Sequence, residues 1–219
     1  MSIHDENNAT VYKCKNCNKY YTDHFSRESI EEHISGKCKS EDIIVKDFSF
    51  TPNTGLSWAE YFIRMAYLVS HKSKDLSSKI GSVLTRDNMV LSCGFNGIPK
   101  GCNDNAEYRN ERPEKYYFYE HSERNCLYFA ARNGINTNNS VLYTLAVPCS
   151  DCARGLIQAG VSKVYYHYQH NANFEFENPK WAESVKRSLE MFDESGVKCI
   201  GHNQWFGFST LINGKNIEV

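Results

Sequence analysis

Val141-Leu142-Tyr143-Thr144-Leu145, then Ala146-Val147-Pro148, then Cys149-Ser150-Asp151-Cys152 is the stretch on which the fold turns. An apolar run with this composition reads as a buried strand, and the proline just past it marks the opening of a helix that runs to Ala159 before Gly160. The same alternation continues on both sides. Upstream lies a helix from Ser122 to Asn133, closed by Gly134; downstream lie a strand Lys163 to Tyr168, a helix near Lys180 to Ser195 and a short strand Val197 to Ile200. Further upstream, Trp58, Tyr61, Phe62, Met65, Ala66, Leu68 and Val69 recur at helical spacing between Leu56 and Ser70. Two apolar runs, Ile80 to Thr85 and Met89 to Cys93, flank Arg86-Asp87-Asn88 and predict a hairpin. The fold class is therefore α/β: a three-layer α/β/α domain around a central mixed five-stranded sheet, mostly parallel beyond the hairpin. Gly94 to Tyr119 shows no periodicity, and a loop of that length in a compact domain is a candidate binding loop.

The chain has 219 residues, 41% of them hydrophobic and 23% charged, which suits one or two compact domains and excludes disorder as the main state. With 25 Lys and Arg against 26 Asp and Glu the net charge is -1, so the broad basic field of a nucleic-acid binder is absent. No apolar run approaches the roughly 20 residues that cross a bilayer, and Met1 to Thr10 is polar and acidic with no signal-peptide core. The expected setting is the cytoplasm, with no membrane partner. Nine cysteines, an odd number and partly in Cys-x-x-Cys pairs, point to metal rather than disulfides.

Four segments follow from these patterns. Residues 11–40 hold Cys14, Cys17, His33 and Cys38 in polar surroundings, with 15 residues between Cys17 and His33 and four between His33 and Cys38. That set predicts a small zinc-finger-like module folded by a structural zinc, with His24 as the rival ligand to His33. Its lysines are nearly balanced by acids, so nucleic acid is not the expected partner. Residues 41–55, with the turn signal Thr51-Pro52-Asn53-Thr54-Gly55, form a linker; 56–200 is the α/β domain; 201–219 is a tail of ambiguous pattern, in which Trp205 and Phe206 are expected to pack at a subunit interface.

The chemistry is concentrated in His121-Ser122-Glu123 and Pro148-Cys149-Ser150-Asp151-Cys152, with 27 residues separating His121 from Cys149. Each motif lies at the predicted start of a helix, so both helix starts can face one place. One His and two Cys leave a zinc its fourth position for water, which becomes acidic near neutral pH and so supplies a nucleophile. Glu123, two residues from a ligand, stands beside the metal without binding it, where a proton shuttle is needed. The plainer alternative is a closed zinc site with a fourth protein ligand, Glu123 being a helix-start charge.

These two motifs together match the pattern of the zinc nucleobase deaminases, and over about Leu56 to Ile200 the chain resembles the deoxycytidylate (dCMP) deaminases of that superfamily. The resemblance extends to Trp58-Ala59-Glu60-Tyr61-Phe62, Ser73-Lys74-Asp75, Ile80-Gly81-Ser82-Val83 and the block Gly94-Phe95-Asn96-Gly97-Ile98-Pro99-Lys100-Gly101-Cys102-Asn103-Asp104. It implies hydrolysis of dCMP to dUMP and ammonia, feeding dTTP synthesis, with His121, Cys149 and Cys152 as zinc ligands and Glu123 as proton shuttle. It implies Asn96 at the deoxyribose 3'-hydroxyl, Ser73 and Lys74 at the 5'-phosphate, and Ser122 and Asn125 beside the base. It also implies a homo-oligomer, a hexamer in this family, activated by dCTP with Mg2+ and inhibited by dTTP, with Gly94, Phe95, Gly97, Gly101 and Asp104 in the effector site. Ser122 and Cys126 stand where the family usually has Ala, Leu76 where Pro is frequent, and Phe95 where Tyr is usual. The first two departures lie next to the base, so a 5-substituted cytosine nucleotide is the alternative substrate. From other classes, the competing functions are a deaminase of single-stranded nucleic acid guided by the N-terminal module, and a catalytically idle metal-binding regulator.

Overall fold

The computed structural model describes residues 55–168, 170, 171 and 181–219, together with the backbone of residues 179–180 and of strands β1 (Thr10–Cys14), β2 (Tyr20–Thr22) and β3 (Ile43–Asp47). The chain divides into two compact units, Met1–Gly55 and Leu56–Val219. In the first, β1 pairs antiparallel with β2 on one side and β3 on the other. Cys14 closes β1, while Cys17, His33, Cys38 and the rival ligand His24 lie outside the described residues.

In the second unit, β4 (Gly81–Arg86) and β5 (Met89–Phe95) form the expected hairpin. Its two-residue turn holds Asp87 and Asn88 at φ of 52° and 59°, a left-handed conformation that short polar side chains tolerate and that matches the twist of the strands. Three more strands complete the sheet: β6 (Ser140–Thr144), β7 (Val161–His167) and β8 (Lys198–His202), in the order β5-β4-β6-β7-β8. The pair β4–β6 is antiparallel, whereas β6–β7 and β7–β8 are parallel, so the sheet is mixed as the sequence predicts.

Helices cover both faces because side chains alternate along each strand. Leu84, Leu142 and Val164 point to one side, where they join Cys126 and Ala130 of α2 (Ser122–Arg132), Ala153 and Leu156 of α3 (Ser150–Gln158) and Phe192 of α4 (Pro179–Ser195). Their neighbours Val83 and Tyr143 point to the other, against Phe62, Ile63, Ala66 and Tyr67 of α1 (Trp58–Ser70). Fully buried leucines such as Leu84, Leu142 and Leu156 each contribute about 1.5–3 kcal/mol of transfer free energy. Ser57 opens α1 with a reciprocal cap: its hydroxyl accepts from the Glu60 amide while its own amide donates to the Glu60 carboxylate.

Two glycines set how closely the helices approach the hairpin. A Cβ on Gly81 would lie 2.0 Å from the Ala66 carbonyl oxygen of α1, and one on Gly94 would lie 2.5 Å from both the Ser122 carbonyl oxygen and the Cys126 amide of α2. Backbone therefore rests on backbone on both sides of the hairpin.

Residues 201–219, ambiguous in the sequence, form a second hairpin of β9 (Ser209–Ile212) and β10 (Lys215–Glu218) whose flanking Phe206 and Val219 are buried with α1. Phe206, expected at a subunit interface, is instead a core residue tilted against the rings of Tyr67 and His167 with the Arg64 guanidinium over its ring.

Beside it, the buried Tyr67 hydroxyl lies 2.6 Å from His167 Nδ1 and 3.3 Å from His170 Nδ1, while His167 Nε2 donates to the Gln204 carbonyl at 2.7 Å. Burial pulls His167 down to about 4 and His170 to about 3, so both stay neutral in the folded protein at pH values where the unfolded chain, near 6.5, takes up protons. The unfolded state then binds more protons, and stability falls as pH drops from about 6.5 towards 4, by up to ~1.4 kcal/mol per pH unit per histidine. Urea midpoints across this range should decline with falling pH, and the decline should be shallower in His167→Asn; a pH-independent midpoint would contradict the assignment.

Candidate active site

His121 and Cys149 occupy equivalent places. Each is the last extended residue before a helix, His121 at φ −79°, ψ 153° ahead of α2 and Cys149 at φ −66°, ψ 167° ahead of α3, and neither side chain caps its own helix. Both are left free to point at the space where the two helix starts converge, and the partial positive charge of those starts favours thiolate there. Strand β6 and the buried run Leu145, Ala146, Val147 deliver Cys149 to this point, and one helical turn brings Cys152 beside it.

His121 Nδ1 lies 3.4 Å from Cys149 Sγ and 3.5 Å from Cys152 Sγ, and the three donor atoms all lie within 4.8 Å of one another. Donors around a tetrahedral zinc, at Zn–N of about 2.0–2.1 Å and Zn–S of about 2.3 Å, stand about 3.6 Å apart. The residues therefore fit a zinc ion. The Cys152 hydrogen bond, with His121 adding to it, draws the Cys149 thiol down to about 4, whereas burial and the neighbouring Cys149 push Cys152 well up. Burial opposes charge on His121, but its hydrogen bond to Cys149 and the Glu123 carboxylate lift it above its ordinary value.

A charged clamp braces this cluster. Arg124 Nε donates to Glu120 Oε1 at 2.6 Å and its Nη1 to Cys152 Sγ at 3.5 Å, while the same Glu120 oxygen accepts from the His121 amide at 2.9 Å. Glu123, 4% exposed, is raised by burial and by the Cys149 charge, with His121 pulling the other way, and accepts from Ser122 Oγ at 3.0 Å.

The cluster opens onto a cavity of about 360 Å³. His121, Ser122, Glu123, Cys149 and Trp181 line its inner end, and Asn96, Asp75, Arg112, Lys115 and Tyr119 its other walls. Asn96 is present where the sequence suggests, but its amide is committed: Nδ2 donates to Asp75 Oδ2 and to the Ser78 carbonyl, and Oδ1 accepts from the Ile80 amide, all at 2.8 Å. Lys115 pairs with Asp75 at 2.6 Å.

Ser73 and Lys74 do not line this cavity: the buried Ser73 hydroxyl donates to the Asn96 carbonyl, and Lys74 pairs with Asp104 at 2.8 Å on the surface. Asn125 donates to the Phe95 carbonyl at 2.8 Å, tying α2 to the end of β5. Of the residues expected in the effector site, Gly94 lies under α2, Gly97 bridges to Glu120, and Gly101 and Asp104 are exposed. Conversely, Arg112, Lys115 and Trp181 emerge only from the structure. The first two sit in the long loop, whose lack of periodicity gave no face to read; the third sits on α4, where an aromatic reads as core.

Residues 56–168 match the family described as the cytidine and deoxycytidylate deaminase zinc-binding region. The chain belongs to that family. A deaminase of uncharacterized function from Aliivibrio fischeri is 38% identical over 141 residues, covering 64% of this chain and 90% of that one. Deoxycytidylate deaminases from Mus musculus and from Enterobacteria phage T4 are 32% and 27% identical, covering 51% and 62% of this chain. The chain spans 65% of the length of the mouse protein and 89% of that of the phage protein. Among solved structures, the dCMP deaminase of the cyanophage S-TIM5 in complex with dCMP and dUMP superposes with a TM-score of 0.50 at 25% identity, covering 65% of this chain and 95% of that one. No helix among the described residues is long and apolar enough to cross a membrane.

Loss of the Arg124 clamp should weaken the metal site without unfolding the domain, because the guanidinium both faces Cys152 and holds Glu120 against the His121 amide. Arg124→Gln is expected to lower zinc affinity about 10- to 100-fold, measured by competition with a chromophoric chelator; wild-type affinity in this variant would overturn the role.

Proposed function

We propose that the protein hydrolyses dCMP to dUMP and ammonia. The observation that carries this reading is a His/Cys/Cys donor set at zinc spacing with a buried carboxyl, Glu123, beside it, at the inner end of a cavity whose wall also carries Arg112 and Lys115. Zinc held by His121, Cys149 and Cys152 would polarise a water and make it nucleophilic near neutral pH. Glu123 accepts the proton that water gives up and passes it to N3 as the C4–O bond forms; it then takes the remaining proton from the new C4 hydroxyl and delivers it to the amino group, so that C4=O forms as the C4–N bond breaks and ammonia leaves. Its burial, which raises its proton affinity, suits a carboxyl that must carry a proton for part of the cycle. Arg112 supplies the positive charge for the 5'-phosphate, in place of Ser73 and Lys74, beside Lys115, which Asp75 neutralises, and Trp181, with its ring centroid 6.2 Å from that of His121, gives the base an apolar wall.

The same reading gives the protein a place in the supply of dTTP in the cytoplasm, as a homo-oligomer answering to dCTP with Mg2+ and to dTTP. Support for that regulation is the Gly94 to Asp104 block, whose Gly101 and Asp104 lie open at the surface. The N-terminal module, with Cys14, Cys17, His33 and Cys38, adds a second, structural zinc on the strength of ligand spacing.

Ammonia release should be measured from dCMP, CMP, deoxycytidine, 5-methyl-dCMP and a cytosine-containing oligonucleotide, with and without dCTP and dTTP. Turnover is expected with deoxynucleotide monophosphates, and Glu123→Ala should lower kcat by about 10²–10⁴ with zinc retained. Arg112→Ala should raise KM for dCMP about tenfold, more than it does for deoxycytidine. Turnover confined to the oligonucleotide would transfer the activity to nucleic acid; no turnover with zinc bound would leave a metal-binding regulator.

A further inference from the structure

Behind Glu123 lies a row of buried hydroxyls that metal binding does not require. Ser122 Oγ, which donates to Glu123 Oε2 at 3.0 Å, stands 2.7 Å from Ser82 Oγ. Ser82 Oγ stands 2.9 Å from Thr144 Oγ1, and that oxygen is 3.4 Å from the Gly81 carbonyl. Ser82, Ser122 and Thr144 are all fully buried.

The three come from separate elements: Ser122 from the first turn of α2, Ser82 from β4, and Thr144 from β6 as the register partner of Ser82. Two residues further along the same strands and on the same face, the register pair is Leu84 and Leu142, ordinary core. A buried hydroxyl gains nothing over an apolar side chain unless its bonds are made. The change from leucine to hydroxyl occurs where α2 presses on the hairpin over Gly94, itself paired with Ser82, and so where Glu123 is delivered.

Counting protons gives the row a direction. Each hydroxyl has one proton to donate. If Ser122 donates to the carboxylate, then Ser82 donates to Ser122, while Thr144 donates to the Gly81 carbonyl. Once Glu123 has taken a proton from the water, it donates to Ser122, Ser122 to Ser82 and Ser82 to Thr144, whose own proton stays on the Gly81 carbonyl. Either way each oxygen keeps a partner without a side chain turning out of place.

We propose that Ser82, Ser122 and Thr144 are positioning residues that hold the Glu123 carboxyl in one orientation throughout proton transfer. This rests on the deaminase reading given above, and it makes two residues of the sheet, neither of which lines the cavity, part of the apparatus that sets the rate.

The test is steady-state kinetics with dCMP on zinc-loaded wild type, Ser82→Ala, Thr144→Val and Thr144→Ser, with zinc content and melting temperature measured alongside. Ser82→Ala and Thr144→Val should each lower kcat about tenfold, with KM for dCMP within about twofold and zinc retained. Thr144→Ser, which keeps the hydroxyl, should return kcat to within about twofold of wild type. Placed in a Glu123→Gln background, Ser82→Ala should lower the residual rate no further, because residues acting as a unit are not additive. Wild-type kcat in both Ser82→Ala and Thr144→Val would overturn the proposal while leaving the deaminase reading intact, as would rate losses that track lost zinc or that add fully to Glu123→Gln. If Ser82→Ala does not fold, the Val and Ser variants at position 144 decide the matter. Failure of wild type itself to release ammonia from dCMP would remove the deaminase reading and this proposal with it.

Discussion

Three donor atoms carried by two different helix starts have to end within 4.8 Å of one another, and most of the second unit is arranged around that requirement. The helix that follows His121 must lie flat on the β4–β5 hairpin, which only a residue without a side chain at Gly94 permits. The helix that follows Cys149 must leave the end of β6 on the same face, and the right-handed return to β7 beside it puts α3 there. Caps in extended conformation at both positions turn the side chains off the helices and into the shared space.

That arrangement concentrates charge where solvent cannot relieve it. Two thiols, an imidazole and a carboxyl sit together at the inner end of the cavity, and the chain answers with the Glu120–Arg124 pair on the side of Cys152 and a run of neutral hydroxyls on the side of Glu123. On the proposed reading each device suits its neighbour: a guanidinium can face a sulfur that would bind metal as thiolate, whereas a carboxyl proposed to gain and lose a proton is better served by groups that can both donate and accept.

Those parts of the site that are local in sequence were legible as sequence. A His, a Glu two residues on and a Cys-x-x-Cys after a proline each lie at a helix start, and helix starts and strand runs announce themselves through glycines, prolines and hydrophobic period. What could not be read depends on contacts between distant segments. Ser73 and Lys74 look available after the first helix, yet the hydroxyl of one is taken by the Asn96 carbonyl and the ammonium of the other by Asp104, partners 23 and 30 positions away. Arg112 and Lys115 are cations in an aperiodic loop, and nothing in their spacing says that the loop folds one helical turn against Asp75. Residues 201–219 defeat pattern reading because each strand is four residues long, too short for alternation to stand out from chance.

The cavity has walls of two kinds. Its inner end is built on sheet and helix starts, wedged in place by backbone contacts that tolerate no added atom at Gly81 or Gly94. Its outer wall is largely the loop that carries Arg112, Lys115, Tyr116 and Tyr119, of which Arg112 and Tyr116 are exposed and have room to change. On the proposed reading, bond-breaking and choice of nucleotide thus rest on separate pieces of chain. A lineage built on this scaffold can drift towards a different ligand by rewriting the exposed positions of that loop, while the buried half stays frozen.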